Sequence, residues 1–423
     1  MKKLHKLTPT QRQILVKHLT SEDKSGLITS TCSIPLEIGD TLIENFVNYF
    51  PLSFGIVENM PYERSTHNLL LAVEESSIIA ALNKASKYFR ESGRIQSIHS
   101  KRIIYGQISY LTADLSAQAG NLASLNKLLS DNYNSIRRYL GVKFQSYFDR
   151  GGKLLSLKAI KEGEFTTIYP AIDPLEAMGA NLVTQFAEQI SHYLMNNFNF
   201  PKPLMCILSN SLDEPTTIVQ AMLNISERNI CADQAKRIVL ASQYAEQVPM
   251  RASTHNKGVM NAIDPILLMT GNDWRANSAA IHSYASRSGS YKPITSWDYS
   301  SGQLLGEIRI PLQLGIVGGA TKIHPYAQLA LDFMQISSSE QLAKISAAAG
   351  LLQNFSALNA LVGEGIIQGH MKLHLSNIVY ELTSQIDISD QAKQKLYNSL
   401  SEKLKQDKKV SLSDGKEILQ EII

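Results

Sequence analysis

Residues 257–289 read KGVMNAIDPILLMTGNDWRANSAAIHSYASRSG, and the fold turns on how this run divides. On a helix, Lys257, Asn261 and Asp264 fall at i, i+4 and i+7 and share one face, while Val259, Met260 and Ile263 point elsewhere. The pattern is a polar stripe on a largely buried helix. Pro265 interrupts it, an apolar stretch follows, and Thr270-Gly271-Asn272-Asp273 reads as a turn in which Asp273 caps a second helix through Tyr284. A lysine and an aspartate are thereby expected at the tips of two packed elements. A lone helical lysine is ordinarily a surface residue with a snorkelling stem. The polar company of Lys257 argues for more.

Around this run the composition is that of a globular protein large enough for two or three units. The chain has 423 residues, 44% of them hydrophobic and 19% charged. A net charge of +3 is too small to argue for nucleic acid, and the short KLKQDKK run near the C-terminus reads as a solvated helix end. Cys32, Cys206 and Cys231 are odd in number and widely spaced, which points to a reducing compartment and to no metal site. The opening MKKLHKLTPTQRQILVKHL lacks the apolar core and cleavage site of a signal peptide, and no run approaches the ~20 apolar residues of a membrane span. A cytoplasmic protein without membrane partners is the expectation.

Upstream, Thr8-Pro9 opens an amphipathic helix over 8–27, and Cys32 to Pro51 reads as a second, with Glu44 and Asn45 ahead of FVNYFPLSFGIV. In NLLLAVEESSIIAALNKASKYF the period changes from strand to helix at Glu74-Glu75-Ser76-Ser77, where helix capping is the plain reading of the acids and hydroxyls. From Ile104 to Ser209 the order is strand GQISYLTADL, an amphipathic helix to about Tyr139, strands flanking a DRGG hairpin turn, a strand and helix in FTTIYPAIDPLEAMGANLVTQFAEQISHYL, and strand LMCILSN. Strand, helix, two strands, helix, strand is the order of a ferredoxin-like sandwich. Its second helix should open with Asp173 as N-cap, Pro174 at N1 and Glu176 at N3. Gly179 and Ala180 leave that helix end without bulk, which suits a phosphate or equally a close helix contact.

Downstream of residue 213 come a helical stretch, the opening run, a strand pair around GEIRIPLQLGIVGGATKIHP and two helices over 325–363. In GEGIIQGHMKLHLSNI, Gly365 and Gly369 flank a junction at His370 and suggest a hinge. The charged, helical remainder has capping signatures at Asp387–Asp390 and Ser411–Asp414 and has the makings of a mobile lid or a solvated tail. The fold class is α+β.

Six segments, AVEESSIIAA, EAMGAN, KGVMNAID, TGNDWRA, GGATKIHP and GLLQNFSALNALVGEGIIQGHM, resemble 3-hydroxy-3-methylglutaryl-CoA reductases of the bacterial, soluble class over nearly the whole chain. The resemblance implies a large substrate domain of mixed α/β structure over 1–104 and 211–373. It also implies an inserted ferredoxin-like cofactor domain over 105–210 and a helical flap over 374–423. It implies reduction of a thioester to a primary alcohol by two hydrides from NAD(P)H, with HMG-CoA, mevalonate and coenzyme A as ligands. A homodimer with active sites at the interface, or a higher assembly of it, is also implied.

Position by position, Lys257 is similar to the family's catalytic lysine, which stabilises the developing oxyanion. Asp273 matches the aspartate that sets the charge of that lysine, Glu75 the proton donor, and His370 the acid for the departing CoA thiolate. A cation where negative charge develops, a tunable carboxyl and a near-neutral acid are what this chemistry needs. Substrate contacts fall on Ser77, Asn210, Arg251, Asn261 and Gln353, with Arg251 the natural carboxylate fork. The cofactor is expected at Glu176, Met178, Gly179 and Asn181.

Three departures qualify the resemblance. Ser76 stands where relatives carry Pro, and ENFVN stands where many carry ENVIG, which touches the expected CoA channel. In DRGGKLLSL, Leu155 takes the place of an acid that would meet the ribose hydroxyls of NAD, with Arg150 and Lys153 nearby. Bases there favour NADP(H) over NAD(H). A competing reading, an inactive CoA- or acyl-CoA-binding regulatory homologue, draws support only from the altered ENFVN and VEES segments.

Overall fold

A computed structural model describes residues 34–422 apart from positions 213, 227–229, 364–365, 385, 387 and 408–409. The helix expected over 8–27 and Cys32 lie outside the described residues. The chain begins with α1 (Leu36–Leu42), the hairpin β1 (Phe54–Tyr62) and β2 (Ser65–Ala72), then α2 (Ser76–Ser92) and β3 (Gly93–Ser100). The helix read over Cys32–Pro51 is therefore far shorter. Its C-cap Ile43 is extended at φ −137° and Asn45 has φ 55°, so the aromatic segment that follows is irregular.

The inserted unit runs β4 (Ile104–Leu111), α3 (Thr112–Ala119), α4 (Leu122–Asp131), α5 (Tyr133–Lys143), α6 (Gln145–Asp149), β5 (Lys153–Glu162), β6 (Phe165–Asp173), α7 (Ala180–Phe198) and β7 (Met205–Ser209). Its sheet order, β5-β6-β4-β7, is antiparallel throughout and is the ferredoxin-like arrangement. Val183, Phe186, Ala187, Ile190 and Leu194 of α7 cover one face of that sheet. Three local expectations are corrected here. The single helix to Tyr139 is broken at Gly120, φ 67°, where Asn121 recaps the chain by accepting from Ser124 N at 2.9 Å. DRGG links α6 to β5, and the hairpin turn is at Gly163, φ 58°. Finally, α7 starts at Ala180 and not after Asp173, because Leu175 (φ 56°) and Gly179 (φ 95°) both leave the helical region. The Asp173 carboxylate instead accepts from Leu175 N at 2.9 Å.

The chain then returns through β8 (Thr217–Asn224), α8 (Ala232–Gln247), α9 (Pro249–Met269), α10 (Trp274–Ala285), β9 (Thr295–Ser300), β10 (Gln303–Ile310), α11 (Gly319–Ile323), α12 (Pro325–Phe333) and α13 (Ser339–Val362). Strands β3-β8-β10-β9 form an antiparallel sheet. Helix α13 is the spine of this unit and is buried on every side. It is long and apolar enough to cross a membrane, but 78% of its apolar window is buried inside the protein, as for a core helix. Gly350 lets α9 lie against α13, since a Cβ there would come within 2.9 Å of Val259 and Ile263. Pro265 does not end α9, which continues to Met269. Proline removes one N–H and one helical bond, and burial of Ile263, Ile266 and Leu267 outweighs that loss.

The chain ends in α14 (Ile366–Thr383), α15 (Asp390–Asp407) and α16 (Leu412–Ile422), which share a small core of Leu375, Ile378, Leu396 and Leu400. Ser389 Oγ accepts from Ala392 N at 3.2 Å, and Ser411 with Asp414 forms a reciprocal cap, as the sequence signatures anticipated. Gly369 lies within α14, so the glycine hinge expected around it is not a break in the helix. Gly365 and Asp387 lie outside the described residues.

Candidate functional site

Lys257 sits in the middle of α9 and not at a tip, and its side chain is 65% exposed. Its Nζ lies 3.9 Å from Glu75 Oε2, so the opening polar stripe meets the N-terminus of α2. Glu75 occupies the N-cap position of α2, yet its carboxylate makes no capping bond. It accepts instead from Ser77 Oγ. The plain capping reading of Glu75 is thereby excluded, and Ser77 holds the carboxylate that faces the lysine.

Helix α10 runs back antiparallel along α9. Ser278 Oγ donates to Asp264 Oδ1 at 3.2 Å, and Asn256 Nδ2 donates to Lys292 O at 2.9 Å, close behind the end of α10. Ser211 and Ser283 share a hydroxyl bond of 2.8 Å, which sets Asn210 beside the Lys257 end of α10. On α13, Gly350 and Ala357 face Val259 and Gly258, so Gln353 between them lies on the face turned to α9. Lys257, Glu75 and Ser77 are thus brought together, with Asn261 one turn along α9 and Asn210 and Gln353 on elements packed beside that helix. Both Asn210 Oδ1 and Gln353 Oε1 are buried and have no hydrogen-bond partner among the described residues. Buried amides are normally satisfied, so these oxygens mark positions that a ligand would complete.

Arg251 lies about 120° around α9 from Lys257 and is half-buried, which lowers its pKa. Asp264 is a half-buried carboxyl that burial pushes up to about 6. Beneath Lys257, sequence reading missed a buried network. His255 Nε2 meets Thr295 Oγ1 at 2.6 Å and Asn354 Nδ2 at 3.1 Å, while Asn354 Oδ1 accepts from Trp297 Nε1 at 2.8 Å. Burial, and then the nearby Arg251 charge, pushes His255 down to about 4, so it is a neutral structural histidine near pH 7.

Asp273 is placed elsewhere. From Lys257 to Met269 the axis of α9 covers about 18 Å, and α10 starts at that far end. Asp273 Oδ1 accepts from Ala276 N at 3.0 Å as the N-cap and lies 3.6 Å from Arg275 Nε. The two do not meet within one chain. What Asp273 does adjoin is the inserted unit. Asn272 Oδ1 accepts from Gly315 N at 2.8 Å and its Nδ2 donates to Gly315 O at 3.0 Å. Gly315 in turn packs so closely that an added Cβ would be 2.5 Å from Met178 N, and Ile316 N donates to Glu176 O at 2.9 Å. The side chain of His370, in α14, lies outside the described residues.

The sequence pattern of the hydroxymethylglutaryl-coenzyme A reductase family matches residues 8–375. This chain belongs to that family. It is 31% identical to a 3-hydroxy-3-methylglutaryl-coenzyme A reductase of Archaeoglobus fulgidus, covering 96% of this chain and 89% of the relative. It is 33% identical to a probable reductase of Borreliella burgdorferi, covering 84% and 81%. The reductase of Streptococcus pneumoniae superposes with a TM-score of 0.79 at 30% identity, covering 99% of both chains. A second structure of that class II enzyme, bound to NADPH in open conformations, gives 0.78 and covers 85% of this chain and 98% of the other.

The EAMGAN turn is where the sequence places the cofactor. Gly179 has φ 95°, and a Cβ there would fall 2.6 Å from Pro174, so the turn admits glycine alone and leaves the first N–H groups of α7 without a side-chain cap. Asn181 lies in that first turn. Lys153 pairs with Asp173 across β5 and β6, and Tyr147 OH ties both by donating to Asp173 O at 2.7 Å and accepting from Lys153 N at 2.8 Å. Arg150 and Lys153 are exposed at this same sheet end, and Leu155 sits at a β-bulge. Of the expected cofactor residues, Glu176 has its carboxylate engaged within the protein. Its carboxylate accepts from Arg102 and, at 2.6 Å, from Ser339 N at the start of α13. It latches the inserted unit to the spine helix.

Proposed function

We propose that this reductase interconverts 3-hydroxy-3-methylglutaryl-CoA with mevalonate and CoA at the Lys257–Glu75 cluster, using two equivalents of NADP(H). The observation that carries the assignment is the 3.9 Å Lys257–Glu75 pair, held by Ser77 and flanked by the unpartnered amide oxygens of Asn210 and Gln353. The Lys257 ammonium lies where thioester and aldehyde oxygens would gain negative charge, and it lowers the barrier by stabilising that charge. Glu75 gives a proton to the oxygen once the carbonyl is reduced. Asp273 fixes the charge state of Lys257, Asn261 orients the lysine or substrate one turn away, and Arg251 takes the substrate carboxylate. His370, on the helix that opens the C-terminal flap, protonates the CoA thiolate as it leaves. When bound, the reduced nicotinamide supplies hydride, and the EAMGAN turn with Met178, Gly179 and Asn181 holds its pyrophosphate.

Two features support a homodimer with sites at the interface. Lys257 and Asp273 are too far apart to meet within one chain, so a second copy must bring the two halves of the site together. Val47 and Phe50, 88% and 92% exposed, give the segment over 44–50 an uncovered apolar surface that a partner would bury. Arg150 and Lys153 support NADP(H) over NAD(H), because bases that would pair with a 2′-phosphate stand at that turn and Leu155 takes the acidic place.

The test is CoA-dependent reduction of NADP+ by mevalonate, which an inert CoA-binding homologue would not show. In it two NADP+ are consumed per mevalonate and HMG-CoA appears. Equal concentrations of NAD+ and NADP+ settle the cofactor preference, and a clear advantage for NAD+ would sink it.

A further inference from the structure

The segment between β10 and α11 carries a side chain that the reaction scheme does not use. Gln313 N donates to Asn277 Oδ1 at 2.8 Å and Asn277 Nδ2 donates to Gln313 O at 3.1 Å, repeating what Asn272 does at Gly315. The main-chain edges of residues 313 and 315 therefore point the same way, toward α10, as in an extended strand. In such a strand the side chains of 313 and 315 also share a face. Leu312 and Leu314 take the opposite face and enter the large core. The direction of the shared face is known from Gly315, whose missing Cβ would meet Met178 N at 2.5 Å and Ala177 C at 3.0 Å. Gln313 thus projects into the seam between α10 and the EAMGAN turn. It is only 6% exposed, and neither its Nε2 nor its Oε1 has a hydrogen-bond partner among the described residues.

A buried amide left with both donor and acceptor unmatched is costly, and what relieves it must offer both. Phosphate and thioester oxygens accept only, and a ribose hydroxyl offers donor and acceptor on one atom and not side by side. A carboxamide does both, and the seam lies between Asp273 and the turn assigned to the pyrophosphate. We propose that Gln313 binds the cofactor by pairing its carboxamide with the carboxamide of the nicotinamide ring, fixing which face of the ring is presented. The proposal rests on the nicotinamide-dependent reading above and names a residue that reading leaves without a role.

The full-length protein is titrated with NADPH, followed by cofactor fluorescence in the absence of substrate, for wild type and Gln313→Leu. The variant should bind NADPH about tenfold more weakly, the loss of one to two hydrogen bonds. Its affinity for CoA, and for adenosine 2′,5′-bisphosphate, which lacks the nicotinamide end, should be unchanged. The acetylpyridine analogue of NADP+, which keeps the acceptor and lacks the donor, should bind the wild type more weakly than NADP+ and the variant equally. Gln313→Met, unbranched and of similar volume, repeats the measurement should the Leu variant fail to fold. Unchanged NADPH affinity overturns the assignment, as does an equal loss for the adenosine bisphosphate or a loss confined to CoA. A wild-type chain that binds neither NADPH nor NADH overturns the reductase reading itself, a result distinct from normal binding by the variant.

Discussion

Glu75 and Asp273, the two carboxylates assigned to work with Lys257, are held in opposite ways. Glu75 stands at the head of α2 without capping it, its only described bond being from Ser77, and its charge turns toward the lysine. Asp273 is locked as the N-cap of α10, and its neighbour Asn272 grips Gly315, against which the EAMGAN turn is packed. One carboxylate is held by a single hydroxyl beside the lysine, and the other is fixed as a helix cap near the inserted unit. In the proposed scheme, substrate chemistry and cofactor positioning fall to two places about 18 Å apart along α9. The span of α9 that separates them is the reason for proposing that a second subunit completes the site.

The most severe test of that division is Lys257→Ala. Removing the cation should lower kcat by at least about 10²–10³-fold, because the loss falls on the transition state. Folding should be untouched, since the side chain is 65% exposed. Near-normal turnover in a folded variant would overturn the assignment. If the halves of each site come from two chains, mixing the inactive Lys257→Ala and Asp273→Asn proteins under conditions that exchange subunits should restore about a quarter of wild-type activity. Half of the randomly formed dimers would then hold one intact site of two. No recovery despite demonstrated exchange would mean that each site is built within one chain.

The same comparison separates the two jobs of Asp273. Asparagine is as good an N-cap as aspartate, so Asp273→Asn should lose turnover while its urea unfolding midpoint stays at the wild-type value. Asp273→Ala should lose turnover and about 1 kcal/mol of stability besides. Glu75 caps nothing, so neither Glu75→Gln nor Glu75→Ala should move the unfolding midpoint, while both slow the reaction. A stability loss in Glu75→Ala equal to that in Asp273→Ala would erase the contrast.

What the sequence disclosed follows the reach of each interaction. The cap at Asp273 and the caps at Ser389 and Ser411 depend on bonds within a turn, and each is legible in a few letters. The ferredoxin-like order is legible because alternation of period two and period 3.6 is a local signal. Strand β8, TIVQAMLN, falls in the stretch after residue 213 that the sequence presents as helical; Ala, Met, Leu and Gln favour helix in isolation, and its position between β3 and β10 makes it a strand. The continuation of α9 past Pro265 depends on burial supplied by α13 and lay equally out of reach. The Asn277–Gln313 and Asn272–Gly315 pairings span 36 and 43 residues, and no spacing rule joins them. Position 176 shows the limit of resemblance. The motif assigns Glu176 to the cofactor, while Arg102 and the start of α13, both distant in sequence, claim its carboxylate.

The smallest effect expected concerns Asp264, the member of the polar stripe left without a chemical role. Burial pushes its carboxyl up to about 6, and Ser278 supplies its only described hydrogen bond. Because the folded pKa lies above the unfolded value near 3.9, the native state holds more protons than the unfolded chain between about pH 4 and 6. Stability from this group is therefore greatest in acid and falls as the pH rises through that window. Asp264→Asn keeps the shape and the Ser278 contact without the buried charge. At pH 7.5 it should gain about 1 kcal/mol over the wild type, after allowance for solvent screening of a part-exposed carboxyl, and at pH 4 it should gain nothing. Urea unfolding at the two pH values measures the difference. A turnover number that falls with the charge, in a protein so stabilised, would move Asp264 from scaffold to chemistry and extend the substrate end of α9 by two turns.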